Sequence, residues 1–210
     1  MVQTIGQILK QQGNRGQKTQ QTSSLALQQK TMLVSKYGNR EAFLTEFNPS
    51  YQMKVCDNTK ECFFGDYPTL AEVKVNYGDN APKMWLIPQL YNLSEYCGVK
   101  EKLQGTPLEE TAFVIASTYY YFKVTELMLF FHRFKSGRYG RFYGNVDPLV
   151  ITTALRDFAQ ERINAIVAKE SEDRDREREE QRKNCITWEE YCIRTNQEGK
   201  PNPLLITNNS

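Results

Sequence analysis

The sequence is poor in the residues that build catalytic and metal sites. It has one histidine, His132, and five cysteines, whose closest pairs, Cys56 with Cys62 and Cys185 with Cys192, are spaced too widely for a zinc knuckle. It also has no glycine-rich phosphate loop and no nucleophile elbow. We therefore predict free thiols, no metal or cofactor, no small-molecule substrate, and a protein that is not an enzyme.

Long apolar runs are also missing. No window approaches the ~18 consecutive apolar residues that a membrane helix needs. The N-terminus, MVQTIGQILKQQGNRG, has no apolar stretch like that of a signal peptide. These absences predict a soluble, cytoplasmic protein without a membrane partner.

The apolar residues that are present recur at helical spacing, which predicts an all-α fold. The compact helical core domain is expected over residues 69–168. The motifs TLAE and TPLEE, at Thr69 and Thr106, predict capping boxes, and Pro88 should kink or divide its helix. The predicted core helices cover residues 69–77, 83–96, 107–121 and 125–135, with a long helix from Pro148 capped by Asp147.

Four segments flank this domain. Residues 1–30 hold nine glutamines, four basic residues and no acid, which predicts a disordered basic arm. Residues 31–68 are aromatic-rich and should form a short helix near 39–47, followed by an irregular segment packed on the core. Thirteen of the fifteen residues from 169 to 183 are charged, which predicts a solvated helical extension before the C-terminal tail, residues 184–210.

The tail contains an amphipathic motif, TWEEYCI. Thr187 is a predicted N-cap, and Trp188 and Tyr191 would lie on neighbouring turns. Two interpretations remain open, because the periodicity is the same for both. The motif is a docking peptide for a protein partner, or it folds back onto the main domain.

Aromatic and basic residues are concentrated between Tyr119 and Tyr143. This stretch holds ten of the twenty-five aromatic residues, and Glu126 is its only acid. Cations follow phosphates and aromatic faces stack on bases, so the pattern favours binding to single- or double-stranded DNA. The expected nucleic-acid-binding residues are Arg133, Lys135, Arg138, Tyr139, Arg141, Phe142 and Tyr143.

A second interpretation of this stretch is structural. The rings of the glycine-rich loop would fold inward, and the arginines would cap helix ends or pair with acids of the last helix. Loop aromatics of this size are usually at least half buried, which favours this interpretation slightly. The two interpretations differ in the burial of the loop rings: rings that point into the core favour the structural one, and exposed rings favour nucleic-acid binding.

The run ELMLFFHRFKSGRYGRFYGNVDPLVITTALRDFAQER, from Glu126 to Arg162, resembles a family of uncharacterised proteins found in mobile elements and phages of Bacteroides-type bacteria. The likeness extends over roughly residues 69–168. It implies a bacterial mobile-element or phage setting and carries over no catalytic residue. The residues that carry it are Lys135, Gly137, Tyr139, Gly140, Phe142, Tyr143, Gly144, Asp147 and Pro148.

The sequence supports two main hypotheses for function. In the first, the protein is an accessory nucleic-acid-binding or replication-associated protein that uses the loop on nucleic acid and the tail on a partner. In the second, it is a structural, assembly or adaptor protein, such as a phage component. An enzyme is a third class, which a deep pocket gathering His132, a cysteine and a carboxylate would support.

Overall fold

The computed structural model describes residues 32–194. Within this range the chain is helical and contains no β-strand, so the prediction of an all-α protein with a long C-terminal helix is confirmed. The predicted arm, residues 1–30, and the end of the tail lie outside the described residues. The helices are α1 (32–37), α2 (Arg40–Glu46), a 3-10 turn (Pro49–Tyr51), α3 (Gln52–Val55), α4 (Thr59–Phe64), α5 (Leu70–Tyr77), α6 (Ala81–Tyr96), α7 (Gly105–Thr118), α8 (Val124–Lys135), α9 (Pro148–Asn184) and α10 (Trp188–Arg194).

The chain divides into two compact units, one that ends at Arg162 and one that begins at Ile163. The division falls within α9. In the second unit, the charged stretch is helical and carries ion pairs between side chains three and four residues apart, such as Lys183 with Glu179 at 3.0 Å. No helix in residues 32–194 is long and apolar enough to cross a membrane.

Helix α8 is the central element of the first unit. Every residue from Val124 to Phe131 is buried, because α3, α4 and α6 all pack against it. The N-terminal part of α9 contributes Phe158, whose ring centroid lies 5.7 Å from that of Phe130. Helices α5 and α7 pack on α6. Because this packing holds α8 in place, it also fixes the position of the last turn of the helix, which carries three basic side chains.

The segment before the core has more helix than its sequence predicts. The short helix expected near residues 39–47 is α2, but the following stretch, predicted to be irregular, contains the 3-10 turn, α3 and α4. Its turn-forming residues act as caps: the Asn58 side chain accepts a hydrogen bond from the Glu61 amide at 3.1 Å. The segment is tied to the core by the Trp85 indole, which donates to the Phe47 carbonyl at 2.8 Å.

The two predicted capping boxes have different outcomes. At α5 the Glu72 amide donates to Thr69 Oγ1 at 3.2 Å and the Thr69 amide donates to Glu72 Oε2 at 2.7 Å, so that box is confirmed. The Thr106 cap is wrong, because α7 begins at Gly105 after an N-cap residue that makes no side-chain cap. The Glu109 carboxylate, expected to complete that box, instead accepts from Lys83 at 3.1 Å.

Helix α6 runs without interruption through Pro88. A division of the helix at that proline, one of the two expected outcomes, therefore does not occur. Trp85, Leu86, Leu90 and Leu93 on either side of it are buried, so tertiary packing holds the helix together across the lost backbone hydrogen bond.

Candidate nucleic-acid interface

The loop between α8 and α9 turns two of its aromatic rings inward. Phe142 stacks on Phe134, with ring centroids 5.2 Å apart and planes at 16°, and Tyr139 lies 5.5 Å from Phe130. Burial raises the pKa of Tyr139 to about 12. Gly140, at φ +100°, adopts the left-handed conformation that the turn between these rings requires. Both rings therefore face the core and remain only partly exposed, which is the arrangement that the structural interpretation of this stretch predicts.

Two of the predicted phosphate-binding arginines pair with one acid of α9. Glu161 Oε2 accepts from Arg133 Nη1 at 2.8 Å, and Glu161 Oε1 accepts from Arg138 Nε at 3.1 Å. The Tyr139 hydroxyl also donates to Oε1, at 3.4 Å. The side chains of Arg133 and Glu161 are both largely buried. These contacts fix the start of the loop to α9 and give both guanidinium groups a carboxylate partner, which they share.

Two of the predicted residues remain available at the loop surface. The Tyr143 side chain is 87% exposed. Arg141 is also exposed, and among the described residues no carboxylate pairs with it. The loop therefore offers one unneutralised cation and one exposed ring for a ligand.

Lys135, at the end of α8, is held in an unusual way for a cation. Its Nζ donates to Gln52 Oε1 at 2.8 Å and to Asn92 Oδ1, and no acid in residues 32–194 pairs with it. The ammonium also lies 5.8 Å from the centroid of the Tyr96 ring. Desolvation by burial lowers the pKa of Lys135. The positive charge is thus half-buried and stabilised by two side-chain amide oxygens and an aromatic ring, without an acid.

Lys135 stands between two adjoining hollows, of about 380 Å³ and about 310 Å³. Tyr96, Lys135 and Ser136 line both of them. Neither is lined by an aspartate or a glutamate, whereas a third hollow of about 540 Å³ contains Asp66 and Glu72. We name the two adjoining hollows the basic groove, and its defining residues are Met53, Tyr96, His132, Lys135, Arg141 and Phe142.

Several groove residues were not predicted from the sequence. Met53 and Gln52 come from α3, and Asn92 and Tyr96 come from α6, far from the aromatic and basic stretch. His132 is exposed and lines the groove as well. Tyr96 was expected only as the last residue of the helix predicted over residues 83–96, and that position gives no information about a ligand.

The combination that would indicate an enzyme is not gathered in the basic groove. His132 lines the larger hollow and Cys97 the smaller one, but neither hollow has a carboxylate. All five cysteines have free thiols, as predicted. Among residues 32–194, no three or more His, Cys, Asp or Glu side chains are grouped so that they could hold a metal ion.

In the second unit, Trp188 and Tyr191 lie together on α10. Their rings stack with centroids 5.4 Å apart and planes at 24°. The predicted cap of this helix is confirmed, since the Glu190 amide donates to Thr187 Oγ1 at 3.2 Å. Tyr191 is 41% exposed and Ile193 is 64% exposed. The helix therefore presents apolar and aromatic surface to solvent.

Comparison with known proteins gives one match. Residues 102–200 match the model of a protein family described as a family of unknown function, DUF6633. The match begins after α6 and continues through the charged part of α9 and α10, so it starts later and ends later than the expected likeness over residues 69–168. No curated protein and no solved structure is significantly similar to the chain. Over slightly less than half of its length, the chain is therefore similar to an uncharacterised family.

Proposed function

We propose that the protein is an accessory nucleic-acid-binding or replication-associated protein, which acts in the cytoplasm by binding and not by catalysis. The basic groove would receive the phosphates. The observation that carries this proposal is the pair of unneutralised cations, Lys135 and Arg141, on a concave surface without a carboxylate.

The contrast with the neighbouring cations supports this assignment. Arg133 and Arg138 pair with Glu161, and Arg162 pairs with Glu126 at 2.7 Å. Each of these arginines has a carboxylate partner within the fold, although two of them share Glu161. A half-buried ammonium without an acid is disfavoured by desolvation, and an anionic ligand would offset that cost. Phosphate groups of a nucleic acid supply such charge at regular spacing.

The setting we propose is a mobile element or phage of Bacteroides-type bacteria. The support for it is the resemblance carried by the run from Glu126 to Arg162. An element of this kind replicates and transfers its own DNA or packages it, so an accessory protein with a phosphate-binding groove has a clear place there. The proposal concerns binding alone and assigns no catalytic residue.

Fluorescence anisotropy with labelled DNA across a salt series tests the proposal. The wild type should bind at low salt and weaken steeply as salt rises. Arg141→Ala should reduce the slope of log Kobs against log salt by ~0.7 to 0.9 for the one phosphate contact that it removes. Arg156→Ala is the matched control, because Arg156 is exposed but lines neither hollow. Absence of binding at low salt, or equal slopes for both variants, would overturn the proposal.

A second candidate function is that of a structural, assembly or adaptor protein that uses α10 on a protein partner. It is favoured by the exposed surface of Tyr191 and Ile193 in a helix that carries a stacked Trp188. Capture experiments should then show a protein retained by the wild type and lost from a Trp188→Ala, Tyr191→Ala double variant. Identical sets of captured proteins would contradict this candidate.

A further inference from the structure

We infer that the basic groove takes single-stranded nucleic acid, with an unpaired base stacked on Tyr96 and the adjacent phosphate at Lys135. The inference rests on the proposed function and specifies the ligand of the same site. It makes Tyr96 a binding residue, although the sequence pattern of the aromatic and basic stretch does not include it.

Tyr96 is placed for this role by the fold. It is the last residue of α6, its side chain is 64% exposed, and it lines both hollows. A large aromatic ring that remains exposed beside a concave surface offers a free face for stacking. The Lys135 ammonium, 5.8 Å from the ring centroid, is close enough for a base on the ring and its phosphate to be bound together.

The other groove residues suit a nucleotide strand that passes from one hollow to the other. Met53, 70% exposed, lines the larger hollow and offers apolar contact to a base or sugar. Arg141 lines the smaller hollow and offers a second phosphate contact. Because Tyr96 and Lys135 line both hollows, one strand can contact all four side chains in sequence.

The concave shape favours a single strand over a duplex. Proteins that recognise the base sequence of duplex DNA commonly insert a helix or a β-ribbon into the major groove. The basic groove is instead a hollow formed by the ends of α6 and α8, the start of α3 and the loop after α8. A stacking ring in a hollow can contact only a base that has left its own stack, so unpaired bases fit and paired bases do not.

Three labelled probes of equal length separate the contributions: a single-stranded oligothymidylate, an abasic single strand with the same number of phosphates, and a duplex, which has about twice as many phosphates. The wild type should bind the oligothymidylate more tightly than either of the other two. Tyr96→Ala should lose about 5- to 150-fold in affinity for the oligothymidylate, the range typical of one lost base stack. Its affinity for the abasic strand should not change.

Two further variants control for the ring and its place. Tyr96→Phe keeps the stacking face and should retain the wild-type affinity. Tyr91→Ala removes another exposed tyrosine of α6 that lines neither hollow, and it should also bind as the wild type does. Equal melting temperatures of wild type and Tyr96→Ala would show that the fold is intact.

The outcomes of these measurements distinguish failure of the single-strand inference from failure of the proposed nucleic-acid-binding function. Equal binding of single strand and duplex, with no loss in Tyr96→Ala but a reduced salt slope in Arg141→Ala, would overturn the inference and leave the proposed function standing. Failure of the wild type to bind any of the three probes at low salt would overturn both.

Discussion

Nη1 of Arg133, on α8, donates a hydrogen bond of 2.8 Å to Oε2 of Glu161, on α9. The same carboxylate accepts from Arg138, the first arginine of the loop between these helices. One carboxylate is thus shared by two of the cations that the sequence pattern assigns to nucleic acid, and the three groups together keep a net charge of +1. In this region, the cations with no carboxylate partner among the described residues are Lys135 and Arg141, which line the basic groove.

The first prediction compares the two loop arginines. Arg138→Ala should leave the salt slope of DNA binding unchanged, because its guanidinium is already paired with Glu161, whereas Arg141→Ala should reduce the slope. Since the Arg138 side chain is 53% exposed, its ion pair should contribute only ~0.2 to 1 kcal/mol to the free energy of unfolding. Anisotropy titrations and urea denaturation measure both effects. A lower slope in Arg138→Ala would show that this arginine contacts phosphate.

The second prediction concerns Glu161. Glu161→Gln should strengthen DNA binding at low salt and steepen its salt dependence, because two arginines lose their carboxylate partner. It should also destabilise the first unit by about 1 to 2 kcal/mol, the cost of removing a partly buried charge partner. Asp157→Asn makes the same change in net charge at an exposed position of α9. An equal gain in affinity for both variants would mean that net charge alone, and not the released arginines, is responsible.

The third prediction is a pH dependence from Glu126, which is buried in α8. Burial raises the pKa of this carboxyl, although the Lys123 amide and Arg162 both oppose the shift. The folded state therefore retains its proton to higher pH than the unfolded chain does. As the pH rises above ~4.3, the ordinary value for Glu, ionisation of this group lowers the free energy of unfolding until the folded-state pKa is passed.

Glu126→Gln isolates that contribution, because the amide keeps an oxygen for the Lys123 N–H but does not titrate in this range. The wild-type free energy of unfolding, relative to that of Glu126→Gln, should fall as the pH is raised from acid to neutral. Urea denaturation of both proteins at several pH values measures the difference. A difference that grows with pH would mean that the ion pair with Arg162 outweighs burial.

The fourth prediction tests the two threonines that begin helix-start motifs. Thr69→Ala should lower the free energy of unfolding by ~1 kcal/mol, because it removes the side-chain acceptor for the Glu72 amide. Thr106→Ala should change stability by less than ~0.5 kcal/mol, because Thr106 is exposed and caps nothing. Thermal or urea unfolding of the two variants makes the comparison. Equal losses would mean that Thr106 also caps its helix in solution.

Local patterns predicted much of this fold. The features that the sequence predicted depend on residues within a few positions of one another. They are the helical period, the capping box at Thr69 and the apolar faces of α6 and α8. The Thr106 motif has the same Thr-x-x-Glu spacing but failed, because α7 already begins at Gly105 and Thr106 therefore lies within the helix. Its Glu109 carboxylate accepts from Lys83 on α6 instead of from the helix backbone. The local pattern alone does not distinguish the two helix starts.

The candidate site was predicted only in part, for the same reason. Its loop was located by the density of aromatic and basic residues, but the partner of Arg138 lies 23 positions further along the chain. Tyr96, Asn92 and Met53 reach the basic groove through the packing of α3 and α6 on α8, which no local pattern records. Because these contacts join residues that are far apart in the sequence, the sequence pattern could not show which cations have a carboxylate partner and which line the groove.

The most direct test of the account is to map where nucleic acid contacts the protein. A single-stranded oligonucleotide carrying iodouracil is cross-linked to the wild-type protein by light, and the modified peptides are identified by mass spectrometry. The account predicts cross-links at the end of α6, on Tyr96, and in the loop that contains Arg141. Cross-links confined to other exposed rings, such as Tyr120 on the α7–α8 connection or Tyr191 on α10, would contradict it.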